Sequence, residues 1–327
     1  MKTKIVYVVS SNETDIYLEQ ALLSVFSLRK HNPNAHVELV VDQDTDATII
    51  GKRQEIMKYI DKKIVVEVPD ELSMVAKSRW LKTSLRQHVE GDYLFIDTDT
   101  VITDRLDDID TFDGELGAVK DQHVLLGLLT VGKVNPRALA KEEGWKWREN
   151  IAYYNSGVMF VKDSELTHNF FQTWHQKWVR NINATGKHRD QSPLAATNEV
   201  FKYVIKELSG EWNCQILSNG IAYLANAKIM HYLVYSNNGN NPWIFYHKEI
   251  LDEVKCFGYI TDNISLSVDK AKTSFTLPLR IIYGNDLELW RSPVCSLCRI
   301  SKTFFSLLNL VAKILSKVIR FKRLIIK

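Results

Sequence analysis

The sequence predicts an α/β fold: a mainly parallel sheet covered by helices on both faces, followed by an amphipathic C-terminal helix. Three observations predict it. Strand-like and helical patterns alternate from the N-terminus to residue 96; the fourth strand, Tyr93-Leu-Phe-Ile96, runs straight into Asp97-Thr-Asp99; and the C-terminus is basic and free of acids. Strands separated by helices of ten or more residues form βαβ units and hence a parallel sheet.

Taken in order, residues 5–10 are a short apolar run and a first strand. Residues 15–31 carry Leu18, Leu22, Val25 and Phe26 on one helical face. Residues 37–41 form the second strand, 47–60 a helix, 64–68 a strand, 71–88 a helix and 93–96 the fourth strand. Beyond Asp99 the rhythm loosens. Residues 104–113 read as an acidic loop, 116–119 as a short strand, and 135–149 as a helix opened by Pro136. Residues 152–161 are a strand with polar Asn155 and Ser156 at its centre, followed by Gly157. Residues 164–182 form a long helix whose Phe170, Trp174 and Trp178, at four-residue spacing, read as core.

At 327 residues the chain is long enough for a full core, and 45% hydrophobic with 25% charged residues is ordinary for a soluble globular protein. From Arg299 onward there are eight Lys or Arg and no acid, which leaves 34 basic and 39 acidic side chains in residues 1–298. A mildly acidic body argues against a nucleic-acid binder. In the tail, Phe304, Leu308, Val311, Leu315 and Val318 line one face, and Lys313, Lys317, Arg320, Arg323 and Lys327 the other. That pattern predicts an interfacial membrane helix rather than one docked on the protein's own surface. It does not span, because Lys313, Lys317 and Arg320 interrupt every window of sufficient length. The expected organisation is a catalytic body over 1–260, an extension over 261–298 and a membrane-association helix over 299–327.

The apolar run 5–9 is too short for a secretory signal core. Four cysteines are too few for a disulfide scaffold, and Cys295-Ser-Leu-Cys298 lacks the second pair or nearby His of a zinc site. A reducing, cytoplasmic compartment is expected, with the protein peripheral to the membrane.

The chemistry begins at Asp97-Thr-Asp99. In open α/β sheets ligands bind beyond the carboxyl ends of the strands. Two carboxylates placed there can hold Mg²⁺ or Mn²⁺, which takes one or two carboxylates plus the oxygens of a diphosphate. The stretch therefore points to a metal-assisted enzyme acting on a nucleotide-linked substrate. A second acidic run, Asp42-Gln-Asp44-Thr-Asp46, reads as a solvated strand-to-helix turn. The same Asp97-Thr-Asp99-Thr100-Val101 also matches the nucleophile signature of haloacid dehalogenase-like phosphatases, with Asp97 taking the phosphoryl group and Asp99 acting as acid/base. Those enzymes carry it on the first strand, whereas here βαβ units precede it.

An ordered set of motifs resembles the retaining glycosyltransferases of family 8, which have the GT-A fold (a Rossmann-like nucleotide-binding sheet) and use UDP-sugars, lipopolysaccharide galactosyl- and glucosyltransferases among them. The set comprises Ile5-Val-Tyr-Val-Val-Ser-Ser-Asn12, Tyr17-Leu, Lys77-Ser-Arg79-Trp, Phe95-Ile-Asp97-Thr-Asp99, Tyr154-Asn-Ser-Gly-Val-Met-Phe160, Arg189-Asp-Gln191, Trp212-Asn213 and Ile229-Met-His231-Tyr. It covers roughly residues 5–243. The resemblance implies that Asp97, Asp99 and His231 bind Mn²⁺ or Mg²⁺, with the imidazole favouring Mn²⁺. It implies that Val8, Ser10 and Asn12 hold uracil and ribose, that Arg79 and Thr98 contact the donor, and that Asn155, Asp190 and Gln191 surround the sugar. Without the resemblance, His231 reads as a core histidine, Asn155 as a capped bulge and Asp190 as a helix N-cap.

Two departures stand out. Ser10-Ser11 replaces a frequent acidic pair, and Asn241 stands where the family usually places a Lys on the diphosphate. The expected function is metal-dependent hexosyl transfer from a UDP-sugar to a glycan or glycolipid acceptor, with retention, in envelope polysaccharide or lipopolysaccharide synthesis. The tryptophans of Gly144-Trp-Lys-Trp147 belong either to the acceptor side or to the core. The alternatives are the phosphatase and a catalytically degenerate nucleotide-sugar-binding protein on the membrane.

Overall fold

The computed structural model describes residues 1–129, 136–216, 218–232, 243–274 and 292–325. The chain divides into two compact units, Met1–Leu277 and Pro278–Lys327. The first contains β1 (Lys4–Val9), α1 (Tyr17–His31), β2 (Val37–Asp42), α2 (Gln43–Thr48), β3 (Lys62–Val66), α3 (Met74–Ser84), β4 (Tyr93–Ile96), β5 (Thr100–Ile102) and β6 (Leu116–Leu125). It continues with α4 (Pro136–Glu143), β7 (Ala152–Val161), α5 (Glu165–Thr185), α6 (Gln191–Val200), β8 (Ile205–Glu207), β9 (Cys214–Gln215), β10 (Ile229–His231), α7 (Lys248–Phe257) and α8 (Asp262–Asp269).

Seven strands form the main sheet in the order β3-β2-β1-β4-β7-β6-β8. The first four run parallel, and β7 pairs antiparallel to both β4 and β6. The chain leaves β1 towards β2 but returns to its other side at β4, so a crevice opens at the carboxyl ends of β1 and β4. A small second sheet, β5-β10-β9, follows the acidic triplet.

The period-two alternation of the strands sorts their side chains into two cores. On one face Ile5, Tyr7, Val9, Val37, Leu39, Val41, Leu94 and Ile96 pack against α1, α7 and α8. On the other, Val6, Val8, Val40, Tyr93, Phe95, Met159 and Val161 pack against α3 and α5. Phe170, Trp174 and Trp178 are fully buried, so the aromatic stripe of α5 is core. Each such aliphatic or Phe side chain contributes roughly 1.5–3 kcal/mol by leaving water.

Four elements differ from expectation. The helix expected over 47–60 is instead α2, capped by Asp42 through Thr45 N–H, followed by a 3₁₀ segment over Gly51–Tyr59. Gly51 at φ +54° breaks the α path. The helix expected over 71–88 begins at Met74, where Ser73 caps it, and tightens into a 3₁₀ turn over Leu85–Gln87. The helix expected over 135–149 ends at Glu143, ahead of Gly144 at φ +72°. The strand expected over 116–119 continues to Leu125. Asp42 is also buried rather than solvated: its carboxylate accepts from Thr45 N and Oγ1 at 2.8 and 2.9 Å.

In the second unit, Pro293–Ile300 and Lys302–Ile325 are helices. Phe305, Leu307, Leu308, Leu310, Val311, Ile314 and Leu315 are exposed. Among the described residues no helix is long and apolar enough to cross a membrane.

Candidate active site

The crevice at the ends of β1 and β4 is a cleft of about 360 Å³. Val8 and Ser10 line it from β1, Arg79 and Lys82 from α3, and Asp97, Thr98 and Asp99 from the end of β4. Asn155, Ser156 and Gly157 come from β7, Asp190 and Gln191 from the start of α6, and His231 from β10. Asn12 is not part of the lining. Its Oδ1 accepts from Thr14 N, Thr14 Oγ1 and Asp15 N at 2.8, 2.7 and 3.1 Å, which commits it to its own turn. Asn241 lies outside the described residues.

Asp97, Asp99 and His231 offer ligand atoms that all lie within 4.8 Å of one another. Two carboxylates and an imidazole are a donor set suited to Mn²⁺ or Mg²⁺. His231 is 2% exposed; its Nε2 lies 3.1 Å from Asp99 Oδ1 and its Nδ1 2.9 Å from Asn213 Oδ1. Burial disfavours the imidazolium, but the charge and hydrogen bond of Asp99 outweigh it and raise the His231 pKa. For Asp99, burial acts upward, yet His231 holds the carboxyl below its ordinary value.

Asn213 links this cluster to the rest of the cleft. Fully buried, it donates from Nδ2 to Asn155 Oδ1 at 2.9 Å. Asn155 Oδ1 also accepts from Gly157 N at 2.9 Å, and Asn155 Nδ2 donates to Asp121 at 3.0 Å. The Asn155 amide is therefore held by both its ends. Gly157 answers to space: a Cβ there would lie 2.3 Å from His231 Cε1 and 2.9 Å from Asp97 Oδ2. Its carbonyl accepts from Asp97 N at 2.7 Å, so β7 fixes the backbone of the first aspartate.

Asp190 precedes α6 but does not cap it with its side chain. The carboxylate instead accepts from Ser156 Oγ at 2.7 Å and lies 3.4 Å from Arg79 Nε and 3.5 Å from Lys82 Nζ. Burial alone would raise its pKa, but Lys82 and Arg79 hold it below the usual value, so Asp190 is ionised. Ser10 Oγ is buried in the cleft lining without a hydrogen-bond partner, a donor and acceptor left available for a ligand.

Lys82 and Asp121 escaped the sequence reading. Lys82 stands three residues after Arg79 and shares its helix face, which is the signal that could have found it. Asp121 had no such signal. It lies on the part of β6 where Gln122 and His123 both take positive φ, +53° and +57°. Gln215, fully buried, clamps this kink: Nε2 donates to Lys120 O at 3.0 Å, Oε1 accepts from Gln122 N at 2.8 Å, and its backbone N donates to His123 Nε2 at 3.1 Å. Burial pushes His123 down to about 4, so the ring is neutral, and the Gln215 N–H requires Nε2 to be its acceptor nitrogen. Burial also raises the Asp121 pKa, against hydrogen bonds from Asn155 and Gln191 that lower it.

A second cavity of about 470 Å³ shares Val75, Arg79, Asp190 and Gln191 with the first. Leu126, Leu129, Trp145 and Tyr153 make it largely apolar, and Asp121, His188 and Arg189 line it too. Trp145 and Tyr153 stack at 6.2 Å.

Over residues 8–245 the sequence matches the model of glycosyl transferase family 8. The chain belongs to glycosyl transferase family 8. The fold is similar to that of galactosyltransferase LgtC in complex with donor and acceptor sugar analogues (TM-score 0.51, 16% identity, 78% of this chain and 95% of LgtC). It is similar also to an active-site mutant of LgtC (TM-score 0.53, 15% identity, 77% and 95%). A third likeness is to the bifunctional glycosyltransferase WbbM (TM-score 0.51, 16% identity, 71% of this chain and 45% of WbbM). No curated protein sequence matches the chain. Membership of family 8 makes the protein a glycosyltransferase with the GT-A fold and sets aside the phosphatase reading of Asp97 and Asp99.

Proposed function

We propose that this glycosyltransferase moves a hexose from a UDP-sugar to a saccharide or lipid-linked acceptor, with retention, using Mn²⁺ or Mg²⁺ held by Asp97, Asp99 and His231. The observation that carries the reading is the convergence of those three residues, within 4.8 Å, in a cleft that also holds Arg79 and Lys82. A bound divalent ion supplies charge neutralisation to the departing diphosphate.

The protein's own groups do the rest. Ser10 Oγ and the Val8 backbone recognise uracil and ribose. Arg79 and Thr98 receive the phosphates or the near edge of the sugar. Ionised Asp190 accepts hydrogen bonds from sugar hydroxyls, while Asn155 and Gln191 orient the ring. In a front-face transfer the C1–O bond to the diphosphate breaks with its electron pair, the acceptor oxygen bonds to C1 on the same face, and its proton passes to the departing phosphate oxygen. That route needs no nucleophile from the protein, and Asp190 and Gln191 are the groups nearest to assist it. The acceptor occupies the adjoining cavity, where Trp145 and Tyr153 suit the apolar face of a sugar ring.

The basic tail extends the reading. Exposed apolar side chains on Lys302–Ile325, with eight Lys or Arg and no Asp or Glu from Arg299 onward, suit an anionic membrane surface. We place the enzyme at the cytoplasmic membrane face, acting on envelope glycan or glycolipid precursors.

Calorimetric titration of UDP with and without Mn²⁺, on wild type and on Asp97→Ala/Asp99→Ala, tests the donor site. Metal-dependent binding that disappears in the double variant supports it. UDP binding without transfer from any UDP-sugar would favour the degenerate binding protein, and an inverted product anomer, read by NMR, would defeat retention.

A further inference from the structure

Lys82 is 4% exposed and sits on the α3 face that carries Arg79. A lysine is almost never buried to this degree without anions to compensate it. Here its ammonium lies 3.0 Å from both carboxylate oxygens of Asp97 and 3.5 Å from Asp190 Oδ2. The Phe95 ring, on the strand leading to Asp97, stands 5.0 Å from the same nitrogen and adds a cation–π attraction. Asp97 therefore serves two masters: a built-in cation, and the cluster it forms with Asp99 and His231.

A carboxylate whose two oxygens already bond an ammonium binds a divalent ion less tightly. Its lone pairs are engaged, and like charges repel steeply at short range in a partly buried site. Asp190 offers the ammonium another partner close by, and the flexible four-carbon stem of lysine lets it move between them. Arg79 already holds Asp190 from the other oxygen, so this carboxylate stays in place to receive it.

We propose that Lys82 is an internal counter-cation that competes with the divalent metal for Asp97 and is released towards Asp190 and the donor diphosphate when metal and nucleotide enter together. The inference rests on the metal-site reading above. Only the ion-pair partners of Lys82 change. Metal uptake is then weak ahead of the donor and strong with it, which links the two binding events.

The test titrates Mn²⁺ into full-length wild type, Lys82→Met and Lys82→Gln, reading free Mn²⁺ by EPR with and without saturating UDP, alongside thermal melts. Without UDP, Lys82→Met is expected to bind Mn²⁺ about tenfold more tightly than wild type, and the strengthening by UDP to shrink in a similar ratio. Lys82→Gln keeps a donor for Asp97 but removes the charge, so it follows Lys82→Met. Equal or weaker Mn²⁺ binding by these variants, when folded, overturns the proposal. Should Lys82→Met fail to melt cooperatively, Lys82→Gln decides alone. Wild-type uptake separates the two levels: no Mn²⁺ bound even with UDP defeats the metal-site reading, whereas normal uptake with indistinguishable variants defeats only the role of Lys82.

Discussion

Asn213 accepts a hydrogen bond from His231 Nδ1 at 2.9 Å and so leaves the opposite ring nitrogen, Nε2, turned towards Asp99. Groups that orient a ligating histidine from behind typically contribute 10–100-fold to metal affinity. Asn213→Ala is therefore expected to weaken Mn²⁺-dependent UDP binding by about that factor, with the metal-independent component unchanged. Calorimetry on the variant checks it. Because Asn213 also donates to Asn155, Asn213→Asp, which keeps the acceptor but loses that donor, should fall between wild type and Asn213→Ala.

Gly157→Ala places a methyl 2.3 Å from His231 Cε1, inside any permissible contact. The fold has ample core elsewhere, so a cooperative melt is expected to survive. The imidazole must move, and a displacement of about 1 Å costs on the order of 10²-fold in catalysis. Transfer rate and circular-dichroism melting, measured together, separate the local effect from unfolding.

Gln215→Leu removes the side-chain clamp on the left-handed kink while leaving the backbone bond to His123. Two backbone groups lose their partners, at about 1–3 kcal/mol each if they stay buried. We expect a lower melting temperature, a raised KM for the acceptor as Asp121 loses its position, and UDP affinity within about twofold of wild type. Equal loss for donor and acceptor would argue against a kink that serves the acceptor side.

His175 sits between Trp80 and Trp178, with Nδ1 2.8 Å from Thr83 Oγ1. Burial lowers its pKa from 6.5 to about 4. Between those values the unfolded chain binds the proton and the folded chain does not, so stability falls as pH drops from about 6.5 to 4 and is unaffected by this group above 6.5. Allowing for solvent screening, the loss is on the order of 2 kcal/mol. His175→Gln should flatten that part of the profile, which urea melts at pH 7 and pH 4.5 would reveal.

The sequence was legible where one short stretch decides the structure. Residues 93–99 carry strand and acidic turn within a single window, and α1 announces itself by periodicity alone. Residues 47–60 misled because their apolar spacing is helical, while one glycine with φ +54° redirects the chain. Asp97, Asp99 and His231 could be named from ordered motifs, and they do meet in the cleft. Asn12 could be named as well, but it does not line the cleft and its Oδ1 is engaged in a local turn. Lys82 and Asp121 depend on packing between distant segments: Lys82 on the approach of α3 to β4, Asp121 on a kink held by a glutamine from β9. No local pattern encodes such meetings.

Asp99 and His231 are separated by 132 positions in the chain. Between them lies every residue of β6, β7 and α5, and His231 reaches Asp99 on a strand, β10, that pairs with β5. A nascent chain that has not yet delivered β10 thus has two of the three proposed ligands and no third. If the proposed site holds Mn²⁺, its capture would serve as a chemical report that β10 has docked beside β5, available to an experimenter following refolding and to the cell alike.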